Sequence, residues 1–211
     1  MSTSRDRVRQ ALSHQGSDRI PVDFGATAVT GIHCRVVEAL RKHYGLSYKP
    51  VKIVDTFQML GEVDRDLADA MGVDCIGVGG TRDIFDHDTE CMHEQVTPWG
   101  QKVLVPIQLD LTQDKEGDVY VYAGGDKNYP PSAVMPNGCF FINAIERQQP
   151  INEDKLNPMD NLEEFNSITD EELDAYKKKV NEASVTGRAV VASFGAVSYT
   201  HLRAHETDQY L

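Results

Sequence analysis

Long apolar runs are missing from this sequence. No stretch approaches the roughly 18 consecutive apolar residues that a bilayer-spanning helix needs, so no membrane span is expected. The N-terminus, MSTSRDRVRQALSHQG, lacks an apolar h-region and carries charge throughout. It does not read as a secretory signal. It reads as a short helix with Val8, Leu12 and Ala11 toward one face. Paired cysteines are missing as well. Cys34, Cys75, Cys91 and Cys139 lie far apart and form no CxxC motif. Without a signal peptide they are expected to be reduced thiols in a cytoplasmic protein. Internal repeats are absent. Positive charge is scarce: 21 Lys and Arg stand against 33 Asp and Glu, giving a net charge of −12. Such a chain repels phosphate backbones, so nucleic acid is disfavoured as a partner.

What is present is ordinary globular material. The 211 residues are 40% hydrophobic and 26% charged, enough for one or two domains. Asp18–Gly25 reads as a first strand, with Ile20, Val22 and Phe24 alternating and Pro21 near its start. After a small-residue loop, Ile32–Tyr44 has helical spacing, with Val36, Val37, Leu40 and Tyr44 on one face and Gly45 as C-cap. Val51–Asp55 is a short apolar run, a strand or an extended lead into the next helix. That helix is expected over Thr56–Met71, stopped by Gly72. Val73–Gly79 is a second buried strand.

The middle changes character. Gln95–Ala123 reads as antiparallel β, with turns at Thr97–Gly100 and Gln113–Asp118, and Gly124–Gly138 reads as loop. This is an inserted hairpin sheet on an α/β scaffold. Trp99 is expected to pack over it. The α/β pattern then returns. Ser167–Glu172 starts a helix, with Thr169 and Glu172 spaced for a capping box, and Arg188–Phe194 is a third buried strand. Acid concentrates between Asn152 and Asp174, with Lys155 the single base there, and reads as a solvated helix surface. Strands alternating with helices argue for a parallel sheet. Only three such strands are visible, so the sheet is either small and open or part of a larger one.

From Val197 onward no apolar stripe or cap remains. Residues 197–211 resemble translated adapter read-through and are expected to be disordered. His201 and His205, spaced i, i+4, are not read as a metal site. His87, Cys91 and His93 fall within seven residues and could bind zinc. No fourth ligand follows at a standard spacing, so a solvated loop is expected there, and no metal ligand is assigned.

Several stretches together resemble the uroporphyrinogen decarboxylase superfamily, and within it the methyltransferase-like members: RVRQAL (7–12), DRIPVDFGATAVTGIH (18–33), VKIVDTFQMLGEVD (51–64), MGVDCIGVGG (71–80), INEDKLNPMDNLEEF (151–165) and GRAVVASFGA (187–196). The order and spacing of these stretches carry the resemblance, which spans residues 1 to about 196. It implies a (β/α)8 barrel of which this chain is the N-terminal part, with the active site at the C-terminal ends of the strands. For methyltransferase members it also implies a zinc ion whose ligands lie in the C-terminal half, a thiol acceptor, and a methyl group carried on a corrinoid, presented by a corrinoid protein.

Two other readings stay open. One is porphyrinogen decarboxylation, as in porphyrin biosynthesis. The other is a non-enzymatic binding protein that uses the inserted sheet. Decarboxylase members grip the substrate's carboxylates with an arginine-rich segment after the first strand. Here that segment, Asp23–Gly31, has no arginine. Their pyrrole-binding Asp falls near Thr81, with Asp83 the nearest substitute. On the resemblance, a small-molecule substrate is expected to meet Asp23, Thr27, Thr30 and His33 beyond the first strand, and Asp55 and Gln58 at the start of the next helix. Each also has a structural reading: a loop-capping Asp, Thr hydroxyls bonding turn amides, a first-turn His, and an N-cap at Asp55.

Overall fold

The computed structural model describes residues 2–147 and 169–192. The first helix, α1 (Ser4–Leu12), opens on a capping box. The Thr3 hydroxyl accepts the Asp6 amide at 3.1 Å, and the Asp6 carboxylate accepts the Thr3 amide at 3.3 Å. A coil then leads to the two-residue strand β1 (Ile32–His33) and helix α2 (Cys34–His43), which buries Cys34 and Val37. Strand β2 (Val51–Asp55) alternates in the way a half-buried strand should, with Val51 and Ile53 inward. It turns back into β3 (Leu60–Gly61). Helix α3 (Arg65–Met71) starts on the Asp64 side chain and ends at Gly72, whose φ of 68° is the left-handed cap that glycine adopts without strain.

Strand β4 (Cys75–Val78) follows, then the hairpin β5 (Met92–Val96) and β6 (Lys102–Pro106). Next come β7 (Val119–Val121), β8 (Ala133–Met135) and β9 (Asn143–Ala144). Helix α4 (Asp170–Ser184) opens on the expected Thr169–Glu172 capping box and leads into β10 (Ala189–Ala192).

The described residues form a mixed α/β structure with three sheets and no closed barrel. The five-stranded sheet has the order β1-β3-β2-β6-β5, the two-stranded sheet pairs β4 with β10, and the third runs β7-β8-β9. One apolar core lies under α2, β2, β6, β7 and β8, and includes Ile53, Met59, Val105, Val121 and Met135.

The expected strand at 73–79 and the strand at 188–194 are parallel neighbours, in register from Cys75↔Ala189 to Val78↔Ala192. Residues 193 and 194 lie outside the described residues, as do 152–168 of the acidic segment and the tail at 197–211. The expected first strand is not one. Over 18–25 the chain is coil, because Pro21 has no amide to pair and the Asp74 carboxylate takes the Val22 amide at 2.9 Å. A single backbone bond joins the segment to the residue before β4, from the Asp74 amide to the Val22 carbonyl at 2.7 Å. Farther along, this segment closes on the face of β4. A Cβ at Gly77 would stand 1.9 Å from the Ala26 carbonyl oxygen.

Other expectations are corrected. The helix expected over 56–71 is a turn, a strand and a shorter helix. Met59 takes a positive φ of 52° that no helix accommodates, and Asp64 restarts the chain as an N-cap. The loop expected over 124–138 contains β8. The inserted sheet is not one separate unit. Its hairpin joins the main sheet through the parallel β2–β6 pair, Val51↔Val103 and Lys52↔Leu104, while β7 belongs to the third sheet.

Candidate functional site

The expected site residues fall into two groups around β3. Asp23 and Thr27 lie in the loop before β1. The Asp23 carboxylate accepts the Ala26 amide at 3.2 Å and the Thr30 hydroxyl at 3.1 Å, so it braces a short 3-10 turn over 28–30. Thr27 caps that turn through its backbone, and its amide reaches Thr30 Oγ1 at 3.4 Å. Asp23 thus fills the loop-capping role open to it.

His33 pairs with Leu60, and Leu60 pairs with Asp55 on the next strand. His33 and Asp55 are therefore two strand spacings apart, about 10 Å. Asp55 does not cap a helix. Its Oδ1 accepts the Gln58 amide at 2.7 Å and closes the β2–β3 turn, which leaves the Gln58 side chain exposed. Among the described residues no hydrogen bond joins the Asp23–Thr27 loop to His33, Asp55 or Gln58.

His33 is the N-cap of α2. Its Nδ1 accepts the Arg35 amide at 3.2 Å, and its Nε2 donates to the Phe140 carbonyl at 3.1 Å, which fixes the neutral tautomer. Burial holds its pKa below the usual histidine value. The ring sits in an aromatic cluster, 5.6 Å from Trp99 and 5.4 Å from Phe141 between centroids, and Arg35 lies 4.4 Å above the Phe140 ring. Trp99 covers the start of α2 rather than the inserted strands alone.

Two polar centres take forms that the sequence does not suggest. The first is Asp74, fully buried. It accepts from Arg19 at 2.6 and 2.9 Å, from Arg7 at 3.0 Å and from the Val22 amide. Burial alone would raise its pKa, but these donors outweigh it and hold the carboxyl below its usual range. The second is Asp83 with His87 and Thr56, in the stretch expected to be a solvated loop. That expectation is corrected at His87, which is fully buried. The i, i+4 spacing of Asp83 and His87 was the one signal available in the sequence.

The thiols are quiet. Burial pushes Cys34 up to about 12, and burial with the charges of Asp23 and Asp74 raises Cys75. Both stay protonated near neutrality and are poor nucleophiles. Among the described residues no three His, Cys, Asp or Glu side chains gather so as to hold a metal ion. The zinc implied by the resemblance therefore has no ligand set there. A cleft of about 230 Å³ opens beside Arg41, Lys49 and Lys52, below the roughly 300–1,000 Å³ of ordinary small-molecule pockets. Arg41 is committed to Asp64 at 2.7 Å and Asp66 at 2.8 Å, so it offers a ligand little free charge. No family model, curated protein or solved structure matches this chain.

Proposed function

We propose that this chain is the N-terminal part of an enzyme of the uroporphyrinogen decarboxylase superfamily that works in corrinoid-linked methyl transfer to a thiol or similar acceptor. The observation that carries the reading is the parallel β4–β10 pair, with α4 leading directly into β10 and packing against both strands. That is the connection a (β/α)8 barrel repeats. The coil at 18–26 bonds to the residue before β4 through Val22 and meets the face of β4 at Gly77 through Ala26, with Asp23, Thr27 and Thr30 near that contact.

Methyl transfer is favoured over porphyrinogen decarboxylation by the state of the arginines. An octacarboxylate substrate needs several free guanidinium groups. The segment Asp23–Gly31 has no arginine, Arg7 and Arg19 are spent on Asp74, Arg41 on Asp64 and Asp66, and Arg188 on Asp69; of the described arginines, Arg9, Arg35 and Arg65 make no ion pair. In this reading Asp23, Thr27, His33, Asp55 and Gln58 shape the substrate side of the site. Zinc, when bound in such enzymes, stabilises the acceptor as a thiolate. Its ligands are proposed to come from residues other than the described ones.

The test compares residues 1–211 with a chain extended by the coding sequence that follows codon 196 in the source DNA. Bound zinc and thiol-dependent demethylation of methylcobalamin are measured for both. The extended chain is expected to show both properties and the shorter one neither. Decarboxylation of a porphyrinogen by the extended chain, without zinc, would overturn the proposal.

A further inference from the structure

The loop between β4 and β5 holds a buried histidine whose protonation state is fixed by its neighbours. His87 Nδ1 lies 3.0 Å from Asp83 Oδ2, and its Nε2 lies 2.9 Å from the Tyr122 carbonyl oxygen. A carbonyl oxygen can only accept. Asp83 is saturated as an acceptor. Besides the His87 ring it takes the Thr56 hydroxyl at 2.5 Å on Oδ2, and the Phe85 and His87 amides, each at 2.9 Å, on Oδ1. Four donors fill a carboxylate's lone pairs and leave no place for a proton of its own. Both ring nitrogens therefore face pure acceptors, and both must carry hydrogen.

We propose that His87 is a pH-operated latch: as an imidazolium it ties the β4–β5 loop to the end of β7, and on losing its proton it releases the Tyr122 carbonyl. Neutral imidazole keeps one N–H. The charged Asp83 is the stronger acceptor, so that hydrogen stays on Nδ1. The Nε2 proton goes to solvent, and a lone pair is left pointing at the carbonyl oxygen. What loosens is the seam between the loop and β7, where the Gly124 amide also donates to the Phe85 carbonyl at 2.8 Å. The charges acting on the ring come from its own loop: Asp83, and Asp86, which holds Arg82 at 2.9 Å. The β2–β3 turn contributes only the neutral Thr56 hydroxyl, and the end of β7 only the Tyr122 carbonyl. Burial taken alone would lower the pKa of His87, but the bonds to Asp83 and Tyr122 outweigh it and set it above the usual value.

The test uses the whole chain, labelled with nitrogen-15. Ring-nitrogen shifts of His87 and hydrogen-exchange protection of the Gly124 amide are followed between about pH 5 and 9. Below neutrality both ring nitrogens should be protonated. Above the usual histidine value Nε2 should lose its proton, and Gly124 protection should fall by about tenfold over the same step. In Asp83→Asn both transitions should move together to lower pH. A neutral His87 ring near pH 6, or a titration that leaves Gly124 protection unchanged, would overturn the latch. Neither of those readings needs the variant to fold.

Discussion

His87 and Asp74 show how single residues set this protein's response to acid and base. His87 has its pKa raised in the folded state, so its contribution to stability is complete below its ordinary value of 6.5 and is lost as pH rises through the folded value. Asp74 and Asp83 are lowered, so theirs is present above the ordinary 3.8 and is lost as pH falls through the folded values. The combined contribution of His87, Asp74 and Asp83 is therefore greatest between 3.8 and 6.5, while His33, lowered by burial, works the other way and takes stability away as pH falls below 6.5. Urea unfolding at a series of pH values checks this; a midpoint that keeps rising through pH 8 would contradict it. None of these roles could be read from composition. A buried ion pair needs partners from distant segments, and Arg7, Arg19 and Val22 reach Asp74 only once the chain is folded.

Elements show the same division between what is local and what is not. The helix start at Thr169, the stop at Gly72 and the hairpin turn at 97–100 were legible, because each depends on a side chain and an amide a few residues apart. The failures came where tertiary partners compete with pattern. Residues 56–64 have helical spacing, yet Leu60 and Gly61 pair with β1 and β2 instead. Residues 18–25 alternate like a strand, yet a carboxylate takes the Val22 amide. Of the site residues, the loop-capping role of Asp23 follows from local sequence; His33, expected in the first turn, stands one position earlier as the N-cap. The convergence of His33 and Asp55 on β3 does not follow from local sequence. One position tests the close approach of residues 22–26 to β4. Gly77→Ala places a methyl group 1.9 Å from the Ala26 carbonyl. It is expected to cost about 1–3 kcal/mol through forced displacement of that segment, read as a lowered unfolding midpoint. An unchanged midpoint would mean that the segment is free to move aside.

At the scale of the whole molecule, apolar burial and ionic contact are unequally shared. The central core draws on α2, β2, β6, β7 and β8. The β4–β10 pair with α1 and α4 leans instead on charged and polar ties. Arg188 meets Asp69 at 2.5 Å and the Val73 carbonyl at 2.9 Å, Arg5 meets the Ser184 carbonyl at 2.6 Å, and Asp74 gathers two arginines. Helix α4 buries only Ala183. Regions with few buried apolar contacts open at lower free energy, and salt screens partly exposed pairs. Native-state hydrogen exchange should therefore show amides of β10 and α4 opening before those of β6 and β7, with the gap widening in high salt. Equal protection in the two regions would show that the molecule unfolds as one unit.

The β4–β10 pair also has a history on the ribosome. Cys75–Val78 is made long before Ala189–Ala192, its parallel partner. At about 5–20 residues per second the wait is on the order of ten seconds. Through that interval β4 can be met by the nascent 18–26 segment but has no strand ladder. An unpaired strand is a template for any neighbouring chain. On a crowded polysome the nearest such chain is another copy of this one, with its own β4 edge still unpaired.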